Sequence, residues 1–217
     1  MHPTTTWPLI TCESVYHIGN LNVAEKGVRG SSYEGNGLSV SVNPDAWEEI
    51  AELGGLPWWR LERSGASFLD FHALSAAQRN AIMDWGQTQG LVEPATIWRI
   101  EFEDDELEST MMRYFANEAE AQAEATYLDA APPITEPGWK CTEKLLLRMN
   151  WTDALAEAVD GVAMAYAEDV LDVDGVWWDD KLAPEILSAP RGVIFPHRLT
   201  LWHRSELAVP SLDVGNF

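Results

Sequence analysis

The stretch from Gly35 to Gly55, GNGLSVSVNPDAWEEIAELGG, most constrains the fold because it encodes a strand and a helix in immediate succession. Small and β-branched residues predict a strand at Gly37–Val42. Asn43 is a preferred N-cap, and the proline after it is favoured at the first helical position, so we predict a helix over Pro44–Leu53. The glycines and serines leave two interpretations: a tight turn, or a bare backbone against which a nucleotide lies.

The other hydrophobic patterns mix strands and helices without a regular βαβ period, which predicts an α+β fold. Capping residues predict helices after Ser75, Asn117 and Thr152. The segment EKLLLRM from Glu143 suits either a strand or a helix, since short apolar runs carry no decisive period. Strands are predicted at Ser14–His17, Thr96–Phe102, Ser109–Phe115, Gly175–Trp178, Gly192–Phe195 and Arg198–His203. A chain of 217 residues favours a single domain over 1–217.

The charge of the chain limits its partners. Against 35 Asp and Glu residues stand 14 Lys and Arg, a formal net charge of −21, which repels nucleic-acid phosphates and argues against direct duplex DNA binding. The same charge leaves open plain solubility or a surface that imitates DNA and occupies another protein's basic groove. Two cysteines indicate a reduced compartment, and no Cys/His spacing suggests a metal. Without a signal-like or membrane-spanning segment, we expect a cytoplasmic protein.

Three places carry residues that could act together: YHIGN at Tyr16–Asn20, GNGLSVS at Gly35–Ser41 and GVWWDD at Gly175–Asp180. Each also has an ordinary structural explanation. A histidine at a strand end is usually structural. Glycine pairs usually serve turns, and a tryptophan pair before two aspartates is usually core followed by a solvated loop.

Taken in order, these three places resemble the ADP-ribosyltransferase family. In the histidine branch of that family, a histidine on the first strand bonds the nicotinamide-side ribose, and HIG here is similar to its HG signature with one residue inserted. The resemblance gives Ser39 the position of a tyrosine that stacks on nicotinamide. It gives Asp179 or Asp180 the position of a glutamate that bonds the ribose 2′-hydroxyl. Serine cannot stack as tyrosine does, and aspartate is shorter than glutamate by one methylene.

The resemblance implies a mixed, mostly antiparallel split sheet flanked by helices, with NAD as the substrate. It implies a catalytic set of His17, Ser39, Asp179 and Asp180. The residues it implies for binding NAD are Gly19, Arg29, Tyr33, Gly35, Gly37 and Ser41. Bare glycine backbone would let the dinucleotide approach, and the guanidinium of Arg29 would neutralise a phosphate.

The resulting expectation is an NAD-dependent ADP-ribosyltransferase, or NAD-cleaving enzyme, that modifies a macromolecule in the cytosol and acts as a toxin or conflict effector. The alternative is a non-catalytic acidic inhibitor or antitoxin that binds a basic protein surface. Acidic runs such as EFEDDELE at Glu101–Glu108 and AEDVLDVD at Ala167–Asp174 support this alternative, although such runs are usually solvated faces.

Overall fold

The computed structural model describes residues 6–22, 35–50, 53–104, 109–153, 155, 158–178 and 191–207. Its strands are β1 (Leu9–Thr11), β2 (Ser14–Ile18), β3 (Leu38–Ser41), β4 (Trp58–Glu62), β5 (Ser67–Asp70), β6 (Val92–Asp104), β7 (Ser109–Phe115), β8 (Ile134–Cys141), β9 (Gly175–Trp178), β10 (Arg191–Ile194) and β11 (His203–Leu207). Its α-helices are α1 (Pro44–Ile50), α2 (Ala76–Thr88), α3 (Glu118–Tyr127), α4 (Glu143–Met149) and α5 (Ala158–Tyr166). A π-helical turn, Ala167–Leu171, and a 3-10 turn, Leu199–Leu201, complete the described elements.

The chain divides into two compact units. The first holds the described parts of Met1–Gly27, Asn36–Arg79 and Ala163–Phe217, and the second those of Val28–Gly35 and Asn80–Val162. The predicted α+β class with mostly antiparallel strands is confirmed. The single domain stays a prediction, as does the likeness of the fold to ADP-ribosyltransferases.

The first unit is built on an eight-stranded sheet in the order β1-β5-β9-β10-β3-β2-β4-β11. Its strands pair antiparallel except for β5 and β9, which run parallel. One face carries the main core, in which Val15, Leu61 and Phe68 are fully buried beside Trp177 and Trp202. Ile18, Trp47 and Trp58 form a smaller cluster, where the tryptophan of α1 packs.

The second unit contains a three-stranded antiparallel sheet in the order β7-β6-β8. Helix α3 covers one face through Ala121 and Ala125, which pack with Ile100 of β6. Trp98, Phe102 and Phe115 border this cluster. The alanines of α3 let the helix approach the sheet closely, because they add little side-chain bulk.

Local sequence signals located several helix starts. Asn117 accepts a hydrogen bond from the Glu120 amide at 2.9 Å and caps α3 as predicted. Ser75 and Gln78 form the predicted reciprocal box at the start of α2, with the Ser75 amide donating to the Gln78 side chain at 2.8 Å. Asn43 precedes α1, and the segment from Glu143 is helix α4.

Two predictions were wrong. The helix predicted from Thr152 begins at Ala158, because the Asp153 carboxylate accepts the Leu155 amide at 2.9 Å in a local turn that competes with the helix. The strand predicted at Arg198–His203 is instead a 3-10 turn followed by β11, since the Leu201 amide donates to the Arg198 carbonyl at 2.9 Å and the Trp202 amide to the Leu199 carbonyl at 3.3 Å.

Candidate functional site

His17 lies where two central strands of the first unit stop pairing. Strands β2 and β3 share one register pair, Tyr16 with Ser41, whereas β3 shares four pairs with β10. Beyond Tyr16, the side chain of His17 bonds to the backbone of β3. Its Nδ1 lies 2.7 Å from the carbonyl oxygen of Ser39. A carbonyl can only accept, so Nδ1 carries a proton and donates it.

The second ring nitrogen of His17 faces the loop that follows β2. Nε2 lies 3.2 Å from the carbonyl oxygen of Asn20, and a Cβ added to Gly19 would lie 3.6 Å from it. The side chain is only 5% exposed. With a carbonyl oxygen near each nitrogen, the buried ring can donate from both when it is protonated.

The sheet places the imidazole and the two predicted serine side chains on opposite faces. His17 is in register with Trp59, and Tyr16 is in register with Ser41. Because neighbouring residues of a strand point to opposite faces, the imidazole lies on the Trp59 side, and Ser39 and Ser41 point to the Tyr16 side. The imidazole of His17 therefore contacts the backbone of Ser39, and the Ser39 hydroxyl points to the other face of the sheet.

The hydroxyl of Ser41 is hydrogen-bonded to the backbone two residues further along the chain. Its hydroxyl oxygen accepts the amide of Asn43 at 3.0 Å and lies 3.2 Å from the Asn43 carbonyl, and the residue is fully buried. These contacts fix the turn between β3 and α1, a role that serine commonly has before a helix. The structure thus gives Ser41 a structural function in the turn.

A cavity of about 700 Å³ lies beside the loop that carries Gly19. Two hydrogen bonds fix Gly19 itself: its amide donates to the Pro57 carbonyl at 2.9 Å, and its carbonyl accepts from the Trp59 indole at 3.0 Å. Gly19 has a φ of 120°, which a residue with a side chain rarely adopts. The cavity is lined by Gly19, Asn20, Leu21, Asn22, Leu56, Pro57, Trp59, Leu199 and Arg204.

The lining of this cavity, hereafter the Trp59 cavity, suits a ligand with both flat and charged parts. Leu56, Pro57 and Trp59 supply an apolar wall, and Arg204 is the one cationic side chain among its described lining residues. The Arg204 guanidinium donates to the Leu199 carbonyl at 3.0 Å, which orients it. The volume of the Trp59 cavity lies in the usual range of small-molecule sites, about 300–1,000 Å³. An aromatic ring and an anionic group could be bound together here.

The other predicted site residues are not gathered in the described structure. Gly35 occupies a turn with a φ of 48°, and Gly37 directly precedes β3. Arg29, Tyr33, Asp179 and Asp180 lie outside the described residues.

The strand that leads to the two aspartates is separated from β2 by β10 and β3. Its last residue, Trp178, is in register with Arg191, at the level of Tyr16 rather than Gly19. Three strand spacings amount to about 14 Å. His17, Gly19 and the Ser39 backbone are thus brought together, whereas the end of β9 lies farther along the sheet.

Sequence reasoning missed Trp59, Arg204 and the cavity role of Asn20. Trp59 belongs to the run WWRLE and Arg204 to the final strand, at positions that no local motif marks. Only the pairing of β4 with both β2 and β11 brings them to one place. Among the described residues, no three His, Cys, Asp or Glu side chains are grouped so as to hold a metal ion.

The fold and the cavity define a mixed α+β protein with a ligand-sized cavity beside a buried histidine. Comparison with protein-family models, curated proteins and solved structures finds no match to this chain. In the described part of the chain, no helix has the length and apolar character needed to cross a membrane.

Proposed function

We propose that this chain is an NAD-dependent ADP-ribosyltransferase, or an NAD-cleaving enzyme of that type, and that NAD occupies the Trp59 cavity. The placement of His17 supports this most directly. Its ring is fixed by the Ser39 carbonyl at the point where β2 and β3 part, and its Nε2 faces the loop that lines the cavity. A buried ring fixed in this way is preorganised as a hydrogen-bond donor.

Each part of the cavity matches one part of NAD. His17 lies next to the lining residues and would bond the ribose on the nicotinamide side, as the family resemblance implies. For this, its Nε2 would exchange the Asn20 carbonyl for a ribose hydroxyl. Trp59 and Pro57 offer a flat apolar surface for a ring. Arg204 offers a guanidinium for the pyrophosphate, in place of the Arg29 that the sequence indicated.

The reaction breaks the bond between the ribose anomeric carbon and the nicotinamide nitrogen, and the bonding electron pair leaves with nicotinamide. A nucleophilic atom of the acceptor, or of water, then bonds to the anomeric carbon and loses its proton. The ribose becomes positively charged in the transition state, so a nearby carboxylate accelerates the reaction. Asp179 and Asp180 remain the proposed source of that carboxylate, for which the chain after Trp178 would have to bring one of them across the width of β10 and β3. The acceptor would be a cytosolic macromolecule, which is consistent with a toxin or conflict effector.

Calorimetry with NAD, together with nicotinamide release from labelled NAD, tests the proposal. We expect His17→Ala and Arg204→Gln to weaken NAD binding by about tenfold each, since each removes a charged or buried hydrogen-bonding group. Asp179→Asn and Asp180→Asn should spare binding, and one of them should reduce turnover by at least about a hundredfold.

Arg60→Gln is the matched control for Arg204→Gln. Arg60 lies on β4, points to the opposite face from Trp59 and pairs with Glu62 at 2.8 Å. The Arg60→Gln substitution removes the same charge without altering the Trp59 cavity, so NAD binding should not change. If NAD neither binds nor loses nicotinamide with the folded wild-type protein, the enzyme proposal is wrong.

The second proposal, an acidic inhibitor of a basic protein, is supported by the excess of 35 acidic over 14 basic residues. Within the described part of EFEDDELE, the Glu101 carboxylate is less available to a partner, because it pairs with Arg99 at 2.8 Å. An inhibitor would displace DNA from a basic partner and would lose that partner steeply as salt rises. NAD binding that persists at moderate salt would favour the enzyme.

A further inference from the structure

Strand β6 of the second unit has a neighbouring strand on both sides only near its middle. It pairs with β8 over Val92–Arg99 and with β7 over Trp98–Asp104. From Ile100 to Asp104, no strand in the described part of the chain lies on the side away from β7. We call this unpaired side of Ile100–Asp104 the β6 edge. It offers the position of a further strand, directly in line with β8.

The ladder with β8 identifies the backbone groups that point outward at the β6 edge. The Thr142 amide donates to the Leu91 carbonyl at 2.9 Å, one step beyond the first register pair of β6 and β8. Bonded residues alternate in an antiparallel ladder, so the odd-numbered residues of β6 direct their amides and carbonyls towards the β8 side. Pro94, which has no amide hydrogen, belongs to the even-numbered set. The amides and carbonyls of Glu101 and Glu103 therefore point outward, and no described residue forms a backbone hydrogen bond to them.

Two prolines explain why β8 stops before this edge. The last pair of the two strands is Arg99 with Ile134, and Pro132 and Pro133 directly precede β8. If β8 continued in the same register, Pro132 would lie opposite Glu101. Proline has no amide hydrogen to donate to the Glu101 carbonyl, so this sequence ends β8 and leaves the outward groups of β6 unpaired.

A cavity of about 420 Å³ adjoins the β6 edge. It is lined by residues of β6 and β7 and by the chain after α3: Glu101, Phe102, Glu103, Thr110 and Leu128–Ala131. Phe102, Leu128 and Ala130 also border the apolar cluster under α3. Since neighbouring residues of a strand point to opposite faces, the side chains of Glu101 and Glu103 lie on the other face of the sheet. An added strand would therefore meet an apolar surface on one face and carboxylates on the other.

The carboxylate face of the β6 edge has an excess of negative charge. The Arg99 guanidinium pairs with Glu101 at 2.8 Å and also with Glu136 at 3.5 Å, so two carboxylates share one cation. The Glu103 carboxylate accepts the Thr110 hydroxyl at 2.9 Å, a neutral donor that leaves its charge unmatched. A cationic side chain opposite Glu103 would be stabilised here, as cross-strand pairs of opposite charge are in sheets.

We propose that the β6 edge binds an extended segment of a partner protein, which adds to the sheet as an antiparallel strand. Residues opposite Glu101 and Glu103 would exchange backbone hydrogen bonds with them and carry basic side chains. The residue between them would place an apolar side chain beside Phe102. A second copy of this chain suits the edge less well, because pairing two such edges would place like charges opposite each other. The inference does not depend on NAD binding.

Fluorescence anisotropy with a labelled, end-capped peptide of alternating lysine and valine, added to the full chain, tests the proposed pairing. Two N-methylated forms of this peptide separate backbone bonding from attraction by charge, because both keep every side chain. Methylation of the lysine amides removes the donors to Glu101 and Glu103, so we expect binding to weaken at least about tenfold. Methylation of the valine amides, which point away from β6, should leave binding within about twofold of the parent peptide. Equal effects of the two, or a larger loss from methylated valines, would contradict the pairing.

Glu103→Gln tests the preference for a basic segment, and Glu93→Gln is its matched control. Glu93 lies on the same strand and face, pairs with Lys140 at 2.9 Å and is about 34 Å from Glu103 along the strand. Glu103→Gln should weaken binding of the lysine peptide by about threefold, and Glu93→Gln should leave it unchanged. A peptide with glutamine in place of lysine should bind the wild type and Glu103→Gln equally. Equal weakening by both variants would show a diffuse attraction to the acidic protein and would overturn the proposal.

Amide exchange followed by NMR locates the bound peptide. In the free chain, the amides of Glu101 and Glu103 should exchange with deuterium rapidly because they are unpaired, and the lysine peptide should slow both. Unchanged exchange at saturating peptide would place the peptide elsewhere and overturn the proposal.

Sedimentation of the free chain tests the other occupant of the β6 edge. A dimer that the lysine peptide dissociates would show that a second copy binds there and would contradict the proposed partner. NAD calorimetry on Glu103→Gln should match the wild type, so that failure of one proposal is distinguishable from failure of the other.

Discussion

At the scale of single residues, Asp174 connects several strands of the first unit. It is 3% exposed, and its carboxylate pairs with Arg63 and accepts the Ser67 amide at 3.0 Å. Its backbone donates to the Ser67 carbonyl at 2.7 Å and accepts from Phe195 at 2.9 Å. One buried residue thus links the starts of β5 and β9 to the end of β10.

We expect Asp174→Ala to lower the free energy of unfolding by about 3–5 kcal/mol, because it leaves the Arg63 cation without its buried partner. Urea unfolding followed by tryptophan fluorescence measures this. Asp172→Asn is the control: Asp172 also pairs with an arginine, Arg198, but its side chain is 89% exposed, and asparagine tolerates the positive φ of 55° there. That pair should be worth less than about 1 kcal/mol. Similar losses in both variants would contradict this assignment.

Cys141 should make stability depend on alkaline pH. Burial raises the pKa of its thiol from 9.0 to about 11, and the nearby charge of Asp153 adds to the shift. The unfolded thiol ionises from about pH 9.0, and the folded thiol stays protonated until about pH 11. The stabilisation is therefore complete below pH 9.0 and is lost as pH rises towards 11, by about 2–3 kcal/mol in total.

Urea midpoints between pH 8 and 11 measure this loss, in a Cys12→Ala background so that Cys141 is the remaining thiol of the two. Cys141→Ala in the same background should remove that part of the decrease in urea midpoint with rising pH. An unchanged decrease would show that other groups cause the alkaline loss of stability.

At the scale of elements, the sequence located those whose signals are local. Asn117 and Ser75 mark helix starts through their own side chains, and β7 has the predicted bounds Ser109–Phe115. The predictions failed where a local rule met a competing contact. Thr152 was predicted as an N-cap, but Asp153 closes a turn first. Leu201 turns back on Arg198 where a strand was predicted. Strands β1, β4, β5 and β8 were missed.

The pairing of β9 with β10 depends on glycine. A Cβ at Gly175 would lie 1.7 Å from the carbonyl oxygen of Val193, a distance that only backbone movement can relieve. We expect Gly175→Ala to cost about 3 kcal/mol of stability. Gly54→Ala is the control, since nothing lies within 4 Å of a Cβ there. It should be neutral or stabilise by less than about 1 kcal/mol. Thermal unfolding of the two variants compares them, and a Gly175→Ala protein as stable as wild type would contradict the close approach.

At the scale of the whole molecule, the sequence predicted the fold class but only part of the site. His17 and Gly19 are neighbours in the chain, so their proximity was predictable. The arrival of Trp59 and Arg204 beside them depends on β4 lying between β2 and β11, a pairing that follows from the sheet and from no motif. For the same reason, the interposition of β10 between β9 and β3 was not foreseen.

The single pair shared by β2 and β3 divides the backbone hydrogen bonding of the large sheet at that boundary. On either side the ladders are longer, with five pairs between β2 and β4 and four between β3 and β10. Amide hydrogen exchange reports such local differences in opening. Amides on the facing edges of β2 and β3 should therefore exchange with deuterium faster than those of β4 and β10, as mass spectrometry of the exchanged peptides can measure.

His17 crosses this boundary, because it belongs to β2 and bonds the Ser39 carbonyl of β3. None of the described residues that line the Trp59 cavity belongs to β3 or β10, so a ligand there would contact the β2 side of the boundary alone. Its binding free energy would slow exchange in β2 directly and would reach β3 only through the His17–Ser39 bond. Slowing in both strands would therefore mean that this one side-chain bond makes the two groups of strands open together, whereas slowing confined to β2 would mean that they open separately.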